Sequence, residues 1–141
     1  MPKQPLKHLW LWLFPFVVSA SFVHWEGNYD TARQKAHKTH KPLLVFIVKQ
    51  NSDNTREAIQ TVFMNQPYVE TINEKTVAVM VTYEVSQNYP VEMYYTTVFP
   101  TLFFVDAQKE LFLRKPLYGN EITKESVGQS LHRMVGRESA D

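Results

Sequence analysis

Continuous apolar segments predict the strands of this chain. Residues 43–48 (LLVFIV) and 76–83 (TVAVMVTY) are apolar runs of strand length, rich in branched and aromatic side chains. Such runs are typical of strands that are buried on both faces of a parallel sheet. Residues 102–105 and 110–114 are separated by a polar turn, so we expect these two segments to pair as a hairpin.

Helices are predicted before and between the first two strands. Alanines at helical spacing indicate a first helix over residues 29–38, with Asp30 as its N-cap. Apolar residues at helical spacing in the segment 55–63 indicate a second, amphipathic helix. Ser52 or Asp53 is expected to cap the N-terminus of this second helix.

The sequence of the second half of the chain predicts a short helical turn, an irregular segment between two strands, and a C-terminal helix. Pro67 begins the short turn, whereas residues 84–99 show no clear period. Gly119 allows a backbone turn, and residues 123–135 indicate a last amphipathic helix capped by Thr123. This order of elements predicts an α/β fold, with a central mixed β-sheet flanked by helices on both faces.

The first 20 residues have the pattern of an export signal. Two lysines precede an apolar run over residues 9–18, and small residues follow up to Ala20. We therefore expect a signal peptide over residues 1–20, a single domain over residues 21–141, and a secreted or periplasmic protein. A helix over the apolar run reaches about 18 Å against a hydrocarbon core of about 30 Å, so no stable membrane span is expected after cleavage. The alternative is an anchor that stays uncleaved.

Composition excludes several kinds of chemistry. The 141 residues contain 15 Lys+Arg and 14 Asp+Glu, a balance that gives no basic surface for nucleic acid. The chain has no cysteine, which excludes disulfide bonds, thiolate catalysis and thiolate metal sites. Sulfur is therefore not the reagent of this protein, and no cofactor is expected.

Two further pairs of residues are interpreted as structural. His37 and His40 are three positions apart but have no neighbouring carboxylate, so we expect no metal site and favour an interaction with the C-terminus of the first helix. Trp25 and Tyr29 are expected to cover the packing face of that helix.

The order and spacing of short motifs resemble the thioredoxin-like family, and in particular its secreted and periplasmic members. The motifs are KPLLV at 41–45, VF at 62–63, VFPT at 98–101 followed by LFFVD, and Gly119 before the last helix. The resemblance covers about residues 25–135 and implies a thioredoxin-like fold. It also implies that the Phe99–Pro100 peptide bond is cis.

The departures from the family pattern imply a redox-inactive protein. The resemblance puts Ser52 and Thr55 where the family has its two cysteines, and Asn51 where it has tryptophan. Phe46 stands where many members bury a carboxylate. An alcohol at the helix start stays protonated and cannot form a mixed disulfide.

The resemblance implies a former substrate groove, which we expect to bind a protein or an extended peptide. A structural accessory subunit of an envelope assembly, or an enzyme that uses hydroxyl or histidine chemistry, are the alternatives. The polar residues at the helix start either cap that helix or hold an anion or a peptide carbonyl. The candidate groove residues are Asn51, Ser52, Asp53, Asn54, Thr55, Tyr95, Phe99, Pro100 and Thr101.

Overall fold

The computed structural model describes residues 22–138, and the predicted signal peptide lies outside them. The helices are α1 (Tyr29–Thr39), α2 (Asp53–Ala58), which continues into a π-helical segment (Ile59–Phe63), α3 (Gln66–Lys75) and α4 (Lys124–Glu138). The strands are β1 (Trp25–Glu26), β2 (Leu43–Val48), β3 (Val77–Thr82), β4 (Thr101–Asp106), β5 (Leu111–Phe112) and β6 (Leu117–Tyr118).

The described residues form a mixed sheet, as predicted, and it has six strands. The strand order is β1-β3-β2-β4-β5, and β6 also pairs with β4. The three strands β1, β3 and β2 are parallel, whereas β4 runs antiparallel to β2 and to both short strands. The α/β fold class and the predicted hairpin of β4 and β5 are therefore confirmed.

The alternation of side chains along β2 divides the core into two clusters, one on each face of the sheet. Leu43, Val45 and Ile47 belong to the cluster that packs under α1, which we call the α1 face. Leu44 and Phe46 belong to the cluster that packs under α2, α3 and α4, which we call the α2 face. Because both faces are covered, every residue of β2 is buried and the strand reads as a continuous apolar run.

Three sequence predictions need correction. The N-cap of α1 is Asn28 and not Asp30: the Asn28 side chain accepts a hydrogen bond of 3.0 Å from the Thr31 N–H, and Asp30 lies in the first turn. Trp25 does not cover α1, because it lies in β1 and stacks on Phe46 at 5.5 Å, on the α2 face. The strand predicted over residues 110–114 has only two residues, because Glu110 adopts a left-handed conformation (φ 52°) that interrupts the extended backbone.

Residues 84–99 form no helix or strand, and Tyr94 anchors them to the sheet. The Tyr94 side chain is buried on the α1 face, and its ring meets that of Phe103 at 5.2 Å. Its hydroxyl lies 2.7 Å from that of Tyr29. Burial raises the pKa of both tyrosines, so both hydroxyls stay protonated and can hydrogen-bond to each other.

Candidate functional site

Strand register brings the ends of β3, β2 and β4 together beside the predicted groove. Ile47 lies opposite Thr101, and Val48 lies opposite Thr82. Lys49 and Tyr83 come one residue after the pair Val48–Thr82, and Lys49 and Phe99 come two residues beyond the pair Ile47–Thr101. Tyr83, Lys49 and Phe99 thus form a row across this end of the sheet, which we call the end row. The Phe99 ring lies 4.9 Å from the Tyr83 ring and 5.9 Å from the Lys49 Nζ atom.

The helix start beside the end row uses its polar groups internally. Ser52, one of the two caps that the sequence predicted, is the N-cap of α2, and its hydroxyl oxygen accepts a hydrogen bond of 3.2 Å from the Thr55 N–H. Asp53 forms an exposed ion pair of 3.3 Å with Arg56. Asn51 turns the chain into the helix through a left-handed conformation (φ 55°). These contacts favour the capping interpretation of this segment over a reactive one.

Thr55 lies in the second cysteine position, and its hydroxyl is buried without a hydrogen-bond partner among the described residues. The residue is only 8% exposed, so its hydroxyl has little access to water. A buried, unsatisfied hydroxyl costs about 1–3 kcal/mol. The segment is therefore not fully optimised as a helix start.

The place of the family's buried carboxylate is occupied by aromatic packing. Phe46 is fully buried, and its ring lies 4.9 Å from that of Phe63 and 5.5 Å from that of Trp25. A phenyl ring cannot accept a proton, so neither a nucleophilic thiolate nor the acid–base group that serves it is present.

The loop before β4 is held in place by two threonine hydroxyls. Thr96 Oγ1 donates to the Val98 carbonyl at 2.9 Å and accepts from the Val98 N–H at 3.1 Å. The Thr101 hydroxyl lies 3.0 Å from that of Thr96 and also donates to the Val98 carbonyl. The next peptide bond, Phe99–Pro100, is cis, and the Pro100 carbonyl accepts from the Gly119 N–H at 2.8 Å. The residues directly before and after Phe99, Val98 and Pro100, thus each have hydrogen-bonded backbone groups.

Phe99 itself is different, because its backbone has no hydrogen-bond partner in the described part of the chain. Among residues 22–138, neither its N–H nor its carbonyl makes a hydrogen bond. Its side chain packs partly buried against the core of the α1 face. Backbone donors and acceptors almost always bind something, so these two groups are available to water or to another chain.

The nine candidate residues differ widely in exposure. Thr55, Pro100 and Thr101 are buried, and Ser52 and Phe99 are partly buried. Tyr95 is 69% exposed and, within the described residues, makes no ring contact. Asn51, Asp53 and Asn54 are exposed. Pro100 and Thr101 can therefore contribute backbone, but their side chains are not available to a partner.

Sequence reasoning missed three residues of this site: Lys49, Tyr83 and Thr96. Lys49 and Tyr83 each follow the end of an apolar strand, so strand alternation assigns both to the α1 face. The register that makes them neighbours of Phe99 is a tertiary property. Thr96 lies in a segment without period, where no pattern distinguishes it.

Other kinds of site find no support in the described part of the chain. No three His, Asp or Glu side chains within residues 22–138 lie close enough together to hold a metal ion. None of the helices in the same range is long and apolar enough to cross a membrane.

Comparison with known proteins identifies the family. A family model described as thioredoxin-like matches residues 24–107, which is more than half of the chain. The chain belongs to the thioredoxin-like family. No curated protein matches this thioredoxin-like chain.

Solved structures share the fold of this thioredoxin-like protein at low sequence identity. DsbH oxidoreductase is 18% identical with a TM-score of 0.59, and the match covers 73% of this chain and 77% of that one. A thioredoxin from Thermus thermophilus is 13% identical with a TM-score of 0.66, covering 82% and 88%. The disulphide isomerase from Xylella fastidiosa Temecula1 is 15% identical with a TM-score of 0.57, covering 75% and 87%.

The comparisons and the sequence together show that this chain lacks the reactive residues of thiol–disulfide enzymes. The chain has the fold of thiol–disulfide enzymes but contains no cysteine. This thioredoxin-like protein therefore cannot carry out thiol–disulfide exchange.

Proposed function

We propose that this protein is a redox-inactive binding module that holds an extended segment of a protein partner along the backbone of Phe99. The observation that carries the proposal is the unpaired N–H and carbonyl of Phe99. A peptide strand that adds to these groups gains main-chain hydrogen bonds, as in other cases of strand addition.

The surroundings of Phe99 support binding through apolar contacts. The loop over residues 84–99 exposes four apolar side chains, although loops are usually polar. Val98 directly precedes Phe99, so one of these side chains is next to the backbone that the peptide would pair with. The four residues are Val85, Val91, Tyr95 and Val98, which are 44–69% exposed.

The helix start supports a role without catalysis. A serine nucleophile needs a base within hydrogen-bond reach, yet the described contact of the Ser52 hydroxyl is with the Thr55 backbone. The proposed groove therefore binds through backbone and apolar groups while its polar residues hold the helix in place.

Location outside the cytoplasm is the second part of the proposal, and it rests on the signal-like pattern of residues 1–20. N-terminal sequencing of the exported protein is expected to begin at Ser21. A protein that retains Met1 would instead be anchored.

Peptide selection against the purified protein tests the binding role. We expect random peptides displayed on phage to yield extended binders with a Kd in the micromolar range, about −8 kcal/mol. Methylation of the peptide nitrogen that pairs with the Phe99 carbonyl removes one backbone donor and should abolish binding.

Matched variants locate the interface. Phe99→Ser and Tyr95→Ala should weaken binding of the selected peptides, whereas Phe112→Ser, a similar exposed aromatic on β5, should not. Unchanged affinity in the first two variants together with loss in the third would reject the groove. That result would favour the alternative of a structural accessory subunit that docks through the β5 edge.

A further inference from the structure

We infer that the bound segment carries an acidic side chain, and that the ammonium group of Lys49 binds it. This inference rests on the proposed function and names the chemistry of its partner: an extended peptide with Asp or Glu next to an apolar residue.

The position of Lys49 follows from strand register. Lys49 is the first residue after β2, and the pairing of Ile47 with Thr101 places it across from Phe99. Its Nζ atom lies over the Phe99 ring at 5.9 Å from the centroid. A peptide that pairs with the Phe99 backbone therefore passes beside this ammonium group.

No ion pair among the residues that the structure describes neutralises the charge of Lys49. Within the described residues, the ion pairs are Arg33–Glu110, Lys35–Glu26 and Arg56–Asp53, and none includes Lys49. Its recorded contact is the ring of Phe99. A cation that lies over an aromatic face is held in position, yet its N–H donors remain available on the side away from the ring.

Other charged groups lie near the helix start and the end row. Asp53 is paired with Arg56, so this pair contributes little net charge. Glu84 is the residue after Tyr83 and belongs to none of the ion pairs among residues 22–138. Lys49 is therefore a cation beside the Phe99 ring that no ion pair within the same residues neutralises.

The contact with Lys49 contributes more to the choice among peptide sequences than to the strength of binding. A partly exposed ion pair changes Kd by roughly fivefold at most. The backbone of Phe99 supplies general affinity, and Lys49 distinguishes acidic segments from neutral and basic ones.

Parallel peptide selections test the inference. Random peptides displayed on phage are selected against wild type, Lys49→Glu and the control Lys109→Glu. Lys109 is exposed in the turn after β4, at the opposite end of that strand, so its substitution makes the same change of charge far from Phe99.

We expect wild type and Lys109→Glu to enrich Asp or Glu at one fixed distance from an apolar residue, and Lys49→Glu to enrich Lys or Arg there. For one selected peptide, exchange of its acidic residue for Gln should weaken binding to wild type about two- to fivefold, the range of a partly exposed ion pair. The same exchange should leave binding to Lys49→Gln unchanged. The difference should shrink as salt concentration rises.

The outcomes separate this inference from the proposed function. Peptides that bind at Phe99 without an acidic preference, or with the same preference in Lys49→Glu, overturn the role of Lys49 and leave the binding module intact. A selection that yields no binders overturns both.

Discussion

Two segments meet at one end of the sheet, and they have opposite relations to the rest of the chain. In residues 51–55, two polar side chains make local contacts: the Ser52 hydroxyl accepts from the Thr55 N–H and so caps α2, and Asp53 pairs with Arg56. Residues 96–101 also bind one another through threonine hydroxyls, but they leave the backbone of Phe99 unpaired. The backbone groups without a partner among residues 22–138 are therefore those of a partly buried residue and not those of the exposed polar segment.

The comparison also indicates which part of the family's site was replaced. Where the resemblance puts the family's thiol pair and buried carboxylate, this chain has a helix cap and an aromatic core. A fold of this kind can host functions other than thiol–disulfide exchange.

The largest expected effect comes from returning a carboxylate to the core. Phe46→Asp should lower the free energy of unfolding by more than about 4 kcal/mol, since it opens a cavity and buries an unpaired acid. Urea denaturation measures the loss, and Phe46→Leu, which keeps most of the apolar volume, should cost much less. A stable Phe46→Asp protein would mean that the carboxylate position is still open to solvent.

The second largest loss of stability is expected at Tyr94, which anchors the 84–99 loop to the sheet. Tyr94→Phe leaves the buried Tyr29 hydroxyl unpaired and should cost about 1–2 kcal/mol. Because the pKa of Tyr94 is raised by burial, its contribution is present below the unfolded pKa of 10.0 and is lost as pH rises above that value. Wild type should therefore lose stability above pH 10 more steeply than Tyr94→Phe.

The exposed Tyr95→Phe variant is the control for this alkaline effect. It should resemble wild type at every pH in the same urea titrations. Equal slopes above pH 10 for wild type and Tyr94→Phe would contradict the account of the loop anchor.

The helix cap has a smaller effect on stability and none on binding. Ser52→Ala removes the acceptor of the Thr55 N–H and should cost about 1 kcal/mol in urea denaturation. Affinity for a selected peptide should stay within twofold of wild type, about 0.4 kcal/mol. A large loss of binding without loss of stability would make the Ser52 hydroxyl part of the binding surface.

The smallest change is expected at the second cysteine position, and its sign is informative. Thr55→Val replaces a buried, unsatisfied hydroxyl by a methyl group of similar shape. The variant should be as stable as wild type or gain up to about 1 kcal/mol. Thr55→Ser, which keeps the hydroxyl and loses the methyl group, should be less stable than Thr55→Val. If Thr55→Ser were the more stable of the two variants, the Thr55 hydroxyl would have a hydrogen-bond partner.

Sequence patterns predicted the long strands well because burial on both faces requires a continuous apolar run. The bounds predicted for β2 match those observed. The two-residue strands β1 and β6 escaped prediction because so few residues have no period, and their pairing is imposed by β3 and β4. Asn28 and Asp30 are both good cap residues, so composition alone could not choose between them.

Local sequence patterns also predicted part of the candidate site. A serine after a strand and before a helical pattern identifies a cap, and α2 begins as predicted. The end row depends on the relative register of three strands, and residue spacing within one strand carries no information on that register. Whether the Phe99 backbone is paired depends on its tertiary neighbours in the same way.

Hydrogen exchange at the Phe99 amide tests the central claim most directly. The amide of Phe99 is assigned by NMR in the purified protein, and its exchange rate is measured with and without a saturating selected peptide. The account predicts fast exchange in the free protein, because this N–H has no partner among residues 22–138, and marked protection in the complex. A complex in which the Phe99 amide still exchanges as fast as in the free protein would contradict binding along this backbone.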